Sequence, residues 1–465
     1  MQSNPQPAAI PGPGDTSQRG LDLDVGSEAI RMLGFMSYAN HHAMLGGVLP
    51  ALESMLHINT TLGSTLLRAA SGQQSWVDAL TDNTRRLVAG VRFHHLVHTV
   101  GRELFGSARF PGEEVIAQDE ILRLSYLPPT APSQGVALFH AGGGLPYSDR
   151  IFRMLPEANF YQRFLERGIG VYAMELRGER SEVDASKLTL ARLIDSIQSM
   201  SDKAFEHCGQ HKMILEGYCG QGMQALAYAA ALPQDAERKF QSIATFVAPI
   251  DGTLCGELAE FSKMAPESLL RAEMELFRVM GGYVPGESMG MGLDIPLHTL
   301  FHKTPFGHFR AGFDQPDYAD RGDERDWTPA QRRDLAGTWW ITYENSARFP
   351  LSVDLVAFAS ALFRKGISKD GAIPFSYKGR GLSLRDLAEQ TTLKLFGFYG
   401  SRDTMVPDRT AQCLEALFAE RYKHVVHLHA GHISYILSPK AWDAAYPKAL
   451  KPNPIDVLLA HSCAR

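Results

Sequence analysis

The stretch Met213-Ile214-Leu215-Glu216-Gly217-Tyr218-Cys219-Gly220-Gln221-Gly222, running on as MQALAYAA to Ala230, decides how this chain reads. A short apolar run ends in a glycine-flanked cysteine and passes directly into an alanine-rich segment of helical composition. A buried structural cysteine needs no glycines around it. A nucleophile at the tip of a sharp strand-to-helix turn does, because large side chains two places before and after it make strand and helix collide. Gly217 meets that demand. Gln221 stands where the second small residue is expected, and Gly222 follows one place later. Cys219 is therefore the candidate nucleophile.

An elbow needs partners in a fixed chain order, acid after nucleophile and histidine last. FYGSRDTMVP places Asp403 at the C-terminal edge of a late strand, and AGHI places His432 on a glycine turn after the next one. Upstream, His140-Ala141-Gly142-Gly143-Gly144 leaves the first core strand as a bare loop. Its backbone can approach a developing oxyanion, with the N–H of Gly143 as one donor and that of Gly220 as the other. His140, Gly142 and Gln221 are candidates for lining the substrate pocket, with loop orientation as the alternative role for His140.

The totals fit this chemistry. The 465 residues are 45% hydrophobic and 21% charged, the profile of a globular protein with room for an insertion or a second domain. A net charge of −5 offers no basic face to nucleic acid. Cys208, Cys219, Cys255, Cys413 and Cys463 show neither metal-ligand spacing nor a disulfide framework, so a reducing cytoplasm is the expected home. No apolar run approaches the roughly 20 residues of a membrane span. HAGGG lacks the dinucleotide fingerprint and no phosphate-cradling loop occurs, so no cofactor is expected. His94, His95 and His98 share a helix face at metal-like spacing. With no carboxylate or thiol nearby they read as a solvated or partner-facing stripe, and no metal site is expected. Met264, Met280, Met289 and Met291 read as lining of a flexible apolar cap.

Along the chain, residues 1–20 are a Pro/Gly/Ser/Gln-rich tail expected to be disordered. Residues 21–108 carry helical periodicity. EVIAQDEILRLSYLPP alternates like two paired strands, Glu114 to Ile116 and Ile121 to Leu127. GVALFHA, GVYAMEL, MILEGY and SIATFV then read as strands. Between them, SDRIFRMLPEANFYQRFLERG and LARLIDSIQSMSDKAFEHC read as helices. That alternation argues for a parallel sheet covered on both faces. It stops at Gly252 and resumes near TLKLFGFYG, which predicts a catalytic core of 109–251 and 391–465 with a cap of 252–390 inserted.

A thiolate nucleophile keeps its acyl group activated, so cysteine in place of serine tilts the chemistry toward transfer from a thioester. At this point the residues resemble the polyhydroxyalkanoate synthases and their relatives. Gly217-Tyr218-Cys219-Gly220-Gln221-Gly222 is similar to their G-x-C-x-G-G elbow. Gly400-Ser401-Arg402-Asp403-Thr404-Met405-Val406-Pro407 is similar to their acid segment, and Gly431-His432-Ile433 to their histidine segment. The likeness spans roughly residues 100 to 440. Departures are Thr404 where those enzymes carry histidine, Gln221 in the elbow, and the absence of a tryptophan-rich C-terminal tail. Intracellular polyhydroxybutyrate depolymerases use a similar cysteine triad, and uncharacterised relatives share a tryptophan pair like Trp339-Trp340.

The resemblance implies an α/β-hydrolase fold with a mostly parallel, doubly covered sheet, an inserted cap and an N-terminal helical region. It implies transfer of 3-hydroxyacyl groups from CoA thioesters onto a growing polyester, with a cytoplasmic location, on polymer granules or as a homodimer. Cys219 would attack, His432 would move its proton, and Asp403 would either orient His432 or activate an incoming hydroxyl. A depolymerase, another cysteine-dependent ester or thioester hydrolase, and a catalytically weak granule-binding protein are the alternatives.

Overall fold

Eight strands form one sheet in the computed structural model: β1 Glu114–Gln118, β2 Leu122–Leu127, β3 Ala137–Ala141, β4 Gly170–Leu176, β5 Met213–Tyr218, β6 Phe240–Phe246, β7 Lys394–Gly400 and β8 Tyr422–His427. Their spatial order is β1-β2-β4-β3-β5-β6-β7-β8. β2 runs antiparallel to both its neighbours, and every pairing from β4 to β8 is parallel. This is the strand order of the α/β-hydrolase fold. The structure describes residues 25–100, 110–145, 149–154, 159–177, 184–328 and 349–462, with Gln331, Arg332, Leu335, Ala336 and Trp339. The expected tail at 1–20, Trp340 and Cys463 lie outside them.

Central strands carry apolar runs because both faces are covered. Every residue of β4 and β5 is buried, whereas β1, at the sheet edge, keeps Glu114 and Gln118 in solvent. Alternate side chains feed two cores. Phe139, Leu215 and Ile243 join the helices α5 Leu190–His207 and α6 Gly220–Ala231 on one face. Leu138, Ile214 and Ala244 meet Phe160 and Phe164 of α4 Phe160–Leu165 on the other. The strand expected at 114–116 extends to Gln118 through an irregularity between Val115 and Ala117. The helix expected over 148–168 is shorter than its periodicity suggests. A 3-10 turn spans Asp149–Phe152, and Asn159 starts α4 afresh by accepting from the Gln162 N–H at 2.8 Å.

Between β6 and β7 lie α8 Gly256–Met264, α9 Glu267–Met280, α10 Gly286–Asp294, α11 Pro305–Phe313, α12 Val353–Lys365, a hairpin (Ala372–Tyr377 with Arg380–Ser383) and α13 Leu384–Gln390. The short α7 Pro233–Lys239 precedes β6. The hairpin and α13 pack back against α6, so the last part of this segment joins the helical layer of the sheet. Three N-terminal helices, α1 Val25–Ala43, α2 Leu49–Ala70 and α3 Trp76–His95, rest on the inserted helices. The α3–α11 crossing is close enough to require glycine on both sides. A Cβ at Gly90 would lie 2.7 Å from the Phe309 ring, and one at Gly312 would lie 2.4 Å from the Phe93 Cβ.

The loop leaving β3 is anchored by buried charge. Arg153 Nε donates to Glu175 Oε1 at 2.7 Å and to Oε2 at 2.9 Å, and its Nη1 donates to Glu113 Oε2 at 3.0 Å. Truncating Arg153 would leave Glu175 charged and enclosed in β4. Arg153→Ala is expected to cost about 3–5 kcal/mol in urea unfolding, against under about 1 kcal/mol for Arg238→Ala on the surface.

Candidate active site

β5 ends at Tyr218 and α6 begins at Gly220, with Cys219 between them at φ 52° and ψ −125°. A non-glycine residue there carries strain of roughly 1–3 kcal/mol and stays only if its surroundings dictate it. They do. The Cys219 N–H donates to the Phe246 carbonyl at 2.8 Å, and its own carbonyl accepts from the Gly222 N–H at 2.9 Å.

The glycine departure in the elbow has a steric explanation. A Cβ at Gly217 would lie 2.4 Å from the backbone oxygen of Gln221 and 2.7 Å from the Gly222 Cα. A Cβ at Gly222 would lie 2.5 Å from the Ala248 Cβ. The second close approach of the turn thus falls at 222, against the end of β6, and position 221 tolerates a side chain. That side chain is fully buried. Gln221 is therefore packed into the protein and does not line an open pocket, a correction to its expected role.

Asp403 sits in the turn after β7. Its Oδ1 accepts from the N–H groups of Met405 at 3.0 Å and Val406 at 2.8 Å. Its Oδ2 lies 2.7 Å from His432 Nδ1. His432 follows β8, held by a hydrogen bond from the Tyr218 hydroxyl to its carbonyl and by Gly431, whose N–H donates to Ser434 Oγ at 2.8 Å. Burial alone would lower the His432 pKa. The Asp403 carboxylate and, after it, the neighbouring Cys219 outweigh burial by charge and hydrogen bonding, and push it up to about 10. The partly exposed Cys219, His432 and the enclosed Asp403 carboxylate, spread over 213 positions of the chain, thus share one site.

The glycine loop reaches the same place. Gly143 has φ +90°, and a Cβ there would lie 2.7 Å from Leu122 Cδ2. Leu145 comes over the elbow, its Cδ2 3.3 Å from where a Gly220 Cβ would be. Gln224, one turn into α6, donates to the Gly142 carbonyl at 3.1 Å, and its Oε1 would lie 2.0 Å from a Cβ at Gly144. Gly142 and Gly144, on either side of Gly143, are thereby tied to the helix that begins with Gly220. The first N–H groups of a helix face outward from its start, a setting suited to a developing negative charge.

His140 does not face substrate. It is fully buried, its Nδ1 2.5 Å from Glu216 Oε2 and its ring against Phe152 and Tyr161. The pair joins β3, just before the glycine loop, to β5, three residues before the nucleophile. That placement fits loop orientation, the second of the two roles open to His140. Glu216, Gln224, Tyr218 and Cys255 are the neighbours that sequence reasoning passed over. Glu216 left a signal, a charged residue inside an apolar strand. Cys255 left none: burial pushes its thiol up, with Cys219 and Asp403 close enough to add to the effect.

No family model and no curated protein matches the chain. Similar solved structures include a carboxylesterase of Nitrososphaera gargenis at 17% identity, covering 74% of this chain and 95% of that one, with a TM-score of 0.38. A monoacylglycerol lipase of Paleococcus ferrophilus is 15% identical over 66% of this chain and 90% of its own, with a TM-score of 0.37. A carboxylesterase of Bacillus subtilis is 12% identical over 76% and 94%, also with a TM-score of 0.37. The α/β-hydrolase assignment of this chain rests on its own strand order.

Two outcomes follow from this geometry. Because the folded pKa of His432 lies above its ordinary value, the charged pair with Asp403 contributes stability that is full below about pH 6.5 and lost as pH rises through about 10. The unfolding free-energy gap between wild type and His432→Gln is expected to shrink over that interval, as read by urea titrations at successive pH values. Gln224→Leu keeps the volume but frees the Gly142 carbonyl. It is expected to slow acylation of Cys219 roughly 10-fold or more while leaving the circular dichroism spectrum unchanged.

Proposed function

We propose that this chain is a cysteine-dependent acyltransferase that carries a 3-hydroxyacyl group from a CoA thioester, through Cys219, to the hydroxyl end of a polyester. The observation that carries the acyl-cysteine chemistry is the 2.7 Å contact of His432 Nδ1 with Asp403 beside a cysteine on a strained strand-to-helix turn. In the first half-reaction the Cys219 sulfur bonds to the acyl carbon and the bond to the CoA sulfur breaks, His432 passing its proton to the departing thiolate. The tetrahedral oxygen is met by the N–H groups of Gly143 and Gly220. In the second, an alcohol oxygen bonds to the acyl carbon, its proton goes to His432, and Cys219 leaves.

Resemblance of the elbow, acid and histidine segments to polyhydroxyalkanoate synthases supports the substrate class. The outer faces of α1 and α2, where Ile30, Leu33, Leu56 and Leu67 stand in solvent, suit work at an apolar polymer surface.

One observation favours a second reading. Both Asp403 oxygens are engaged, Oδ1 by two backbone N–H groups and Oδ2 by His432, in a carboxylate closed to solvent. That arrangement suits a residue that orients His432 and leaves His432 as the base in both half-reactions. A base of that kind serves water as readily as an alcohol, which makes the chain a hydrolase of polyesters or acyl thioesters. Incubation with 3-hydroxybutyryl-CoA separates the readings: polymer with stoichiometric CoA release supports transfer, and free 3-hydroxybutyrate supports hydrolysis. Neither product, with no CoA released and no cleavage of 3-hydroxybutyrate oligomers, defeats both.

Variant outcomes test the shared chemistry. Intact-protein mass spectrometry of a short pulse is expected to show an acyl adduct on wild type and none on folded Cys219→Ala. With Asp403 confined to orienting His432, Asp403→Asn is expected to slow adduct formation and adduct loss together, by roughly 100-fold or more. An adduct that forms at the wild-type rate and then persists in this variant would instead make Asp403 the base for the acceptor.

A further inference from the structure

The histidine stripe of α3 is solvated at His95 and His98, while His94 is half-buried against α11. Past His95 the helix loosens into a π-turn, Leu96–Val100, and this carries His98 one turn from His94 on the side that meets α11. From α11 comes His308, buried to 1% exposure. His94 Nδ1 and His308 Nδ1 are 3.2 Å apart, and one nitrogen from each of His94, His98 and His308 lies within 4.8 Å of the other two. The three ring centroids are 4.5 to 5.4 Å apart. His95 stands aside, its Nε2 3.2 Å from Thr99 Oγ1.

We propose that His94, His98 and His308 form a binding site for a divalent transition metal, zinc foremost, that staples the N-terminal helices to the inserted segment. Two nitrogens about 2.0–2.1 Å from a tetrahedral zinc are about 3.3–3.4 Å apart, so the His94–His308 separation already matches one edge of the coordination polyhedron. Histidines one helical turn apart, as His94 and His98 are, form the ligand pair of many zinc sites. Local π-turns recur at functional positions because they re-aim one side chain within a continuous helix. The ligand form of histidine is the neutral ring. Burial lowers the pKa of His308 to about 4, with His98 and His94 adding to the effect.

An ion would give the three imidazoles one common partner. Each would supply a lone pair, and the fourth position would stay open to water. Bridging α3 and α11 would lock a crossing that already depends on Gly90 and Gly312 for its closeness. The sequence shows only two of the three ligands together, since His308 lies 210 residues beyond His98.

The test uses the full chain freed of metal by chelator dialysis and titrated with zinc by calorimetry, alongside the exposed-ligand variant His98→Asn and His94→Asn. Wild type is expected to bind one equivalent that both variants lose or hold roughly 100-fold more weakly. Saturating zinc should raise the melting temperature of wild type and leave those of the variants unmoved. Substituting cobalt should give wild type alone the visible absorption of a tetrahedral ion. His98→Asn binding zinc as wild type does would overturn the proposal by locating the ion elsewhere. Wild type binding no zinc tighter than about 0.1 mM would reduce the cluster to a hydrogen-bonded histidine pair and overturn it equally.

Discussion

The close approach of helix α6 to strands β5 and β6 is the constraint on which the site depends. No side chain fits at Gly217 against the backbone of residues 221 and 222, nor at Gly222 against Ala248. With those contacts made, Cys219 holds a positive φ, and its N–H is tied to Phe246 at the end of β6. Strain of this kind persists because the flanking strand and helix are each buried along their length, so relaxing one residue would unpack many.

Around that turn, ionisable side chains are placed in layers. Nearest is His432, held protonated by Asp403 and Cys219 against the cost of burial. Behind the glycine loop is the enclosed His140–Glu216 pair, and farther along the same loop Arg153 bridges Glu113 and Glu175. Buried pairs of this kind contribute little net stability but resist rearrangement, since separating one leaves an uncompensated charge inside the protein. In the proposed reaction the glycine-loop backbone needs that stiffness, because preorganised N–H groups act only if they do not move when the charge appears. Gln224 serves the same end from the helix side.

The inserted segment is not a separate body. Gly256, at its first helix, approaches the carbonyl of Thr404 so closely that a Cβ would lie 2.8 Å away, and Thr404 directly follows Asp403. Its far end returns as a hairpin and α13 against α6. The N-terminal helices in turn rest on its middle helices. Packing contacts therefore run from α3 through α2 and α1 to α8, whose first residue meets Thr404 beside Asp403.

Local information was enough for most of the architecture. Strands β2 to β6 are apolar runs between turn residues, α5 and α6 have helical periodicity, and the elbow, the Gly-Ser-Arg-Asp segment and the Gly-His-Ile segment are each written in fewer than ten consecutive residues. Steric needs and hydrogen-bonding needs of one turn act over one turn, so sequence records them. Features that depend on distant partners were decided only by the tertiary structure. Gln221 is tolerated in the elbow because Ala248, just past the end of β6, meets residue 222 instead. His140 faces inward because Glu216 lies on the neighbouring strand, and Asp403 has no oxygen to spare because the turn and His432 take both. The histidines of α3 have a third companion because two glycines let α11 approach. A side chain's type is set by the sequence, but its charge state and reach are set by what the fold brings against it.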